Sequence, residues 1–260
     1  MLELQPGKYR RKIIRFWRYS LVGLGLIIFY IFAVSVNLFW LFGGMPDLKV
    51  LENPKSELAS ELISEDQKSL GKYFFENRTQ IEIDQISPHL IEALIATEDA
   101  RFVNHSGIDP RSLVRVFTGI VSGNSSAGGG STITQQVAKN LFNTRSEEYR
   151  GILGQLPFVK TVINKTKEWI LSVVLERKYT KREIMQMYLN TVAFGNNTYG
   201  IKVASKTYFD KEPWDLQVNE AALLVGLLQN PTLYNPLRFP TNALNRRNTV
   251  LAQMTKSEYL

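Results

Sequence analysis

The stretch Glu98-Asp99-Ala100-Arg101-Phe102-Val103-Asn104-His105-Ser106-Gly107-Ile108-Asp109 gathers carboxylates, a histidine and a cation, the side chains that move protons. Upstream, Pro88 to Thr97 reads as a helix. At about 100° per residue Leu90, Ile91, Leu94 and Ile95 form one apolar stripe, and Glu98 continues it near its middle. A carboxylate on a core-facing stripe is partly desolvated, which favours its neutral form and suits it to proton transfer. The alternative is a helix that frays by Thr97 and leaves Glu98 an ordinary surface acid.

A second block, Gly128-Gly129-Gly130-Ser131-Thr132-Ile133-Thr134-Gln135-Gln136-Val137-Ala138-Lys139-Asn140-Leu141-Phe142, is a glycine loop feeding a helix. Ser131 or Thr132 caps it, and Gln135 stands three residues after Thr132, as a capping box requires. Ile133, Val137 and Leu141 face one way, whereas Thr132, Gln135, Gln136, Lys139 and Asn140 share the opposite arc. A helix N-terminus followed by a lysine suits a phosphate, although no Gly-Lys-Ser/Thr follows the glycines and the block is not a Walker loop. A flexible loop before a solvated helix face is the other reading. Residues 164–177 form a third candidate element, mostly apolar, with Lys165, Glu168, Ser172 and Glu176 on one narrow stripe. That stripe either lines a wet site or faces bulk solvent.

The first block resembles the E-D-x-x-F-x-x-H-x-G-I-D signature of the peptidoglycan glycosyltransferases (glycosyltransferase family 51), and the second their G-G-S-T-I-T-Q-Q-x-x-K-N-L-F signature. Further similar blocks follow in order. They are Arg177 to Lys181 with Glu183-Ile184 and Tyr188-Leu189-Asn190; then Phe194-Gly195, Tyr199-Gly200 and Tyr208-Phe209; then Asn219 to Leu224, Asn230-Pro231 and Tyr234-Asn235-Pro236. The resemblance runs from residue 85 to 250, and with the stalk before it looks like the front half of a class A penicillin-binding protein.

The resemblance implies a mainly α, lysozyme-like domain that polymerises lipid II into glycan strands by inverting transfer, with undecaprenyl pyrophosphate leaving. Glu98 is then the general base. Glu168 is the second essential glutamate, holding a divalent cation (Mg or Mn) or orienting cations around the diphosphate. Lys139, Lys165 and Lys167 counter that charge, and Ser131, Thr132, Gln135, Gln136 and Asn140 bind sugar and phosphate oxygens. Asp99, Phe102 and His105 either support the Glu98 loop or touch substrate. Arg177, Lys181, Tyr188 and Asn190 belong to the third motif, as substrate contacts or as packing. Implied partners are lipid II, the nascent glycan strand, membrane lipid and proteins of a wall-synthesis complex. A lytic lysozyme-like enzyme and an inactive scaffold are the rival functions.

Two departures stand out. Asn164 replaces the family's usual arginine, so a phosphate contact would come from Arg145, Arg150 or Lys160. The segment Thr144 to Val162 is longer than the family pattern, and its Leu153, Leu156, Phe158 and Val159 either dip into the bilayer or belong to a plain surface insertion. Ser69-Leu70-Gly71-Lys72 matches S-x-x-K of penicillin-binding sites only formally, since no K-T-G occurs in the chain.

Positioning these groups falls to a chain of 260 residues with no cysteine and two histidines, which excludes disulfides, thiolate chemistry and a His/Cys zinc site. Its net charge of +7 is uneven: six basic residues and one acid stand in 1–18, which leaves +2 for the rest. That is a topology signal beside an uncharged run from Leu21 to Phe42, and no nucleic-acid motif accompanies it. The run is long enough to cross ~30 Å of hydrocarbon, and the basic flank predicts a cytoplasmic N-terminus. No A-x-A-like site follows, so an uncleaved anchor in the inner (cytoplasmic) membrane is expected, with the catalytic domain outside. The expected organisation is a basic tail (1–18), a transmembrane helix (19–42), a stalk with a short hairpin (43–87), the glycosyltransferase domain (88–250) and a final helical segment (251–260).

Overall fold

The computed structural model describes residues 9–46, 60–63, 69–73, 80–122 and 129–260. The basic tail's first eight residues, most of the stalk and residues 123–128 lie outside the described residues. The fold is mainly α, as the sequence predicts, and divides into two compact units.

The first unit comprises residues 1–46 and 144–167. Helix α1 spans Arg10–Ser35 and is long and apolar enough to cross a membrane. It differs from the expected span at both ends. It begins inside the basic cluster, and it stops at Ser35 because Asn37, Phe39 and Trp40 adopt left-handed backbone angles around the short turn Leu38–Trp40. The apolar run therefore continues past the helix as a turn that ends near Gly44.

The insertion grips this exit segment. Leu153 N–H donates to Leu41 O at 3.0 Å, and the Tyr30 and Thr166 hydroxyls lie 3.1 Å apart. Gly43 and Gly151 press together: a Cβ on Gly151 would sit 2.2 Å from Gly43 N, and one on Gly43 2.1 Å from Tyr149 O. Lys167 completes the clasp, fully buried, with Nζ donating to Gly44 O (3.0 Å) and Tyr149 O (2.8 Å). Burial lowers its pKa to about 8. Between pH 8 and the ordinary lysine value of 10.5 the unfolded chain therefore binds more protons than the folded one. Wild-type stability is expected to rise with pH across that window relative to Lys167→Met. Melting temperatures of both proteins measured from pH 7 to 10.5 check it, and parallel curves would contradict the burial cost.

The second unit comprises residues 47–143 and 168–260. It opens with the predicted hairpin, β1 (Ser60–Ile63) antiparallel to β2 (Ser69–Tyr73), paired Ser60 to Tyr73. Next come α2 (Pro88–Glu98), α3 (Pro110–Val121) and α4 (Ile133–Leu141). Helix α5 (Pro157–Lys178) begins in the first unit and enters the second at Glu168. After it follow α6 (Lys181–Thr191), the small pair β3 (Ala193–Gly195) and β4 (Thr198–Tyr199), and α7 (Ile201–Phe209), α8 (Val218–Gln229) and α9 (Pro240–Lys256).

The core forms where α8 packs between α2 and α9. Ala221, Ala222, Leu224, Val225 and Leu227 are sealed from solvent, against Leu90, Ala93 and Leu94 of α2 and Val250 and Met254 of α9. Each buried leucine or valine contributes about 1.5–3 kcal/mol. Helix α6 packs on α4 through Ile184, Met185, Tyr188 and Leu189, the inward face its spacing predicts. The predicted capping box opens α6: Thr180 N–H donates to Glu183 Oε2 (2.7 Å), and Glu183 N–H donates to Thr180 Oγ1 (3.3 Å).

Candidate active site

Helix α2 runs through Glu98 itself, so the acid is held by the last helical turn. Its surroundings refine the sequence reading. The sealed residues are Leu90, Ala93 and Leu94, while Ile91 and Ile95 are only half-buried. The buried face is thus rotated away from Ile91 and Ile95, and Glu98 stands at its edge, half-buried, instead of at its centre. An edge position gives a carboxylate both a partly desolvated setting and an open side.

Gln136 Nε2 donates to Glu98 Oε2 at 2.9 Å, and Gln136 Oε1 accepts from the Tyr188 hydroxyl at 3.1 Å. Both ends of the amide are fixed, so its donor is aimed at the acid. Tyr188 is fully buried. Burial first, and the negative charge of Glu98 second, push its hydroxyl pKa well above the ordinary phenol range. It stays a hydrogen-bond donor and cannot serve as a base.

Below Glu98 a closed ring of hydrogen bonds joins the two glycine-containing blocks. Asp99 and His105 are both nearly buried, with His105 Nε2 3.0 Å from each Asp99 oxygen. Gly107 N–H donates to His105 Nδ1 (3.2 Å), which places the imidazole proton on Nε2, facing Asp99. Asp99 Oδ2 also accepts from Ile133 N–H (3.0 Å), a carboxylate seated on the first free amide of α4. Gly107 O closes the ring, accepting from Thr132 Oγ1 (2.7 Å) and Gln135 Nε2 (3.1 Å).

The capping box expected at Thr132 is therefore only half made: Gln135 N–H donates to Thr132 Oγ1, while the Gln135 side chain goes to Gly107 instead. Thr132 and Gln135 are buried and lie off the open arc of α4, which shows Gln136, Lys139 and Asn140. Ser131 is half-buried at the loop before them. Lys139 is exposed one turn beyond Gln136, a spacing that puts Cβ atoms roughly 5–6 Å apart. The second unit thus sets a cationic helix face beside the residue that grips Glu98.

Helix α5 supplies a buried polar face from Glu168 onward. Glu168 and Ser172 are fully buried and the Glu176 side chain nearly so, which settles the open reading of that stripe: it does not face bulk solvent. Ser172 backs onto Gly107. Glu176 Oε1 accepts from Thr134 Oγ1 (2.5 Å) and Lys181 Nζ (2.7 Å). Lys181 also donates to His105 O (2.6 Å) and lies 4.4 Å from the centre of the buried Phe102 ring.

Glu176, Thr134 and Gly107 are positioning residues beyond those singled out from the sequence. Glu176 had a signal, its place on the polar stripe; Gly107 and Thr134 stand at fixed positions of the two signatures. Arg101 grips Asp109 with two nitrogens. Although burial opposes it, that grip and Ser112 hold the Asp109 carboxyl down to about 2.

Other third-motif residues lie apart from Glu98. The Asn190 side chain is spent on both backbone groups of Ile81 (3.0 and 2.9 Å), and Arg177 is exposed at the end of α5. Lys165, half-buried, and Lys167 belong to the first unit, where Lys167 serves the clasp. Among the described residues no three His, Asp or Glu side chains gather around a possible metal.

Gly107 carries a φ of 89°, and a Cβ there would lie 2.8 Å from the Ser172 carbonyl carbon and oxygen. Left-handed backbone and forced contact each cost about 1–3 kcal/mol. Gly107→Ala is expected to lose about 2–5 kcal/mol of stability. A melting curve within a degree or so of wild type would show that α5 yields instead.

Residues 66–255 match the family model described as Transglycosylase. The chain is 38% identical, over 91% of its length, to Penicillin-binding protein 1A of Aquifex aeolicus, of which it covers 31%. It is 39% identical over 78% of its length to Penicillin-binding protein 1F of Bacillus subtilis, covering 26% of that protein. It therefore spans less than a third of these relatives. A crystal structure of Penicillin-Binding Protein 1A from Haemophilus influenzae aligns with 78% of the chain at 20% identity and a TM-score of 0.43, over 19% of that chain.

Proposed function

Because the chain belongs to the transglycosylase family, we propose that it is a membrane-anchored peptidoglycan glycosyltransferase that extends glycan strands from lipid II, with the growing strand as donor. The observation that carries this reading is Glu98, half-buried at the end of α2 and held by Gln136 of α4, which shows Lys139 one turn further on. Glu98 takes the proton of the acceptor's sugar hydroxyl as that oxygen attacks the anomeric carbon. The bond from that carbon to the diphosphate breaks on the opposite side, so configuration inverts and the electron pair leaves with the lipid diphosphate. Such a leaving group needs positive charge more than a proton, which fits one base among cations and contrasts with the paired carboxylates of glycosidases.

Lys139 is the cation of the second unit that we assign to the diphosphate, with Gln136, Asn140 and Ser131 toward sugar and phosphate oxygens. Thr132, Gln135, Asp99, His105, Phe102, Lys181 and Tyr188 act through the base and its loop. A divalent cation, which takes one or two carboxylates and otherwise phosphate and water oxygens, would arrive with the diphosphate and find Glu168; it would neutralise leaving-group charge. Helix α1 anchors the chain in the cytoplasmic membrane, N-terminus inside by its basic flank and the second unit outside.

The test is purified full chain with lipid II in detergent. Growth of glycan strands supports the reading. Soluble anhydro-muropeptides released from finished wall would replace it with a lytic enzyme, and neither product with a scaffold.

A further inference from the structure

The buried phenol of Tyr188 has one hydrogen-bond partner among the described residues, Gln136 Oε1 at 3.1 Å. The other end of that amide donates to Glu98 Oε2 at 2.9 Å. Three elements thus meet in one short chain: Tyr188 of α6, Gln136 of α4 and Glu98 at the end of α2. No donor of the described residues meets Glu98 Oε1, the oxygen left for the acceptor's proton.

An amide has a donor end and an acceptor end of similar shape, and a half turn about its last side-chain bond exchanges them. With the NH₂ end toward Glu98, the ionised carboxylate is favoured. Turned over, Gln136 would set its oxygen against Glu98 Oε2, a contact that is favourable only when Glu98 carries a proton to donate. The orientation of the amide and the protonation of the base are therefore coupled.

The phenol decides that orientation. Its oxygen can accept as well as donate, so it would tolerate the NH₂ end, but its own proton would then have no acceptor among the described residues. Tyr188 is sealed from solvent, where a stranded O–H carries the full cost of an unsatisfied buried donor. Nor can the phenol escape by losing the proton, because burial first and the charge of Glu98 second push its pKa well up.

We infer that the Tyr188 hydroxyl, acting through Gln136, keeps Glu98 in the ionised form that glycosyl transfer needs. Tyr188 is in this sense a positioning residue, and the role rests on the reading of Glu98 as base.

Full chain in detergent would be assayed for strand growth on lipid II from mildly acid to mildly alkaline pH, as wild type, Tyr188→Phe, Gln136→Leu and the double variant. On the acid side the rate falls as Glu98 takes a proton. In Tyr188→Phe that fall should lie about one to two pH units higher, so the loss at neutral pH shrinks as pH rises. Tyr188→Phe changes no charge. Asp99 and His105 beside the base, Lys139 on α4, Glu176 on α5 and Lys181 on α6 therefore act equally on both proteins. Gln136→Leu should move the fall in the same direction, and adding Tyr188→Phe to it should move it no further.

The carboxyl infrared band that Glu98→Gln removes, titrated in each folded protein without substrate, should shift with the rate profile. An equal loss at every pH would leave Tyr188 a packing residue and overturn the inference. So would an unmoved profile in Gln136→Leu, a further shift in the double variant, or an unmoved infrared band. Polymerisation by Glu98→Gln at the wild-type rate would instead remove the base role, and the infrared band alone then decides whether Tyr188 governs the proton on Glu98. Melting curves show which variants are folded.

Discussion

Glu98→Gln is expected to lower strand polymerisation about 10²–10⁴-fold, the range that a positioned general base contributes. The substitution keeps size and shape, and an amide oxygen at position 98 still accepts from Gln136 Nε2. Only the capacity to take a proton is removed. The loss should therefore fall on kcat, with KM for lipid II and the melting temperature close to wild type. No neighbour is ready to substitute: Gln136 has no basic site, and Tyr188 has its hydroxyl pKa raised by burial and by Glu98 itself. Gel analysis of labelled strands measures the effect, and polymerisation at the wild-type rate would remove Glu98 from the role of base.

Much of this arrangement is legible in the residue pattern, for a physical reason. Helix limits and caps are local: Pro88 at the start of α2, the Thr180/Glu183 box of α6 and the Asn230 stop of α8 depend on neighbours within four residues. Glu98 was reachable because an acid beside an apolar stripe is a local pattern too. A helical wheel cannot show which polar side chains are consumed by distant backbone. Gln135 looks like a ligand on the wheel, yet its partner is the carbonyl of Gly107. Asn190 likewise turns to Ile81, and Lys167 to Gly44 and Tyr149. The rotation of the buried face of α2 was also out of reach, because it depends on where α8 and α9 lie. Hydropathy overstated the reach of the membrane helix for a similar reason: it counts apolar residues and is blind to the left-handed turn at Asn37.

Asp99→Ala should be the most damaging single change outside the base, in stability and in rate together. The Asp99 side chain is 4% exposed and serves two donors through three contacts: both of its oxygens meet His105 Nε2, and Oδ2 meets Ile133 N–H. Removing it strands a buried imidazole N–H and a helix-terminal amide. Each buried donor left unsatisfied costs about 1–3 kcal/mol. The damage also reaches the base. Asp99 directly follows Glu98, and the ring through His105, Gly107 and Thr132 fixes the turn against α4, where Gln136 stands. A displacement near 1 Å at a reacting group costs about 10²-fold in rate, and that loss should persist well below the melting midpoint. Asp99→Asn separates the two effects. Its amide oxygen can still serve one donor while its NH₂ faces the other, so about 1–3 kcal/mol should be lost, with most of the rate retained. Should Asp99→Ala melt like wild type, the ring would not be what holds these two blocks together. Should it be destabilised yet turn over normally in the cold, Glu98 would owe its position to α2 alone.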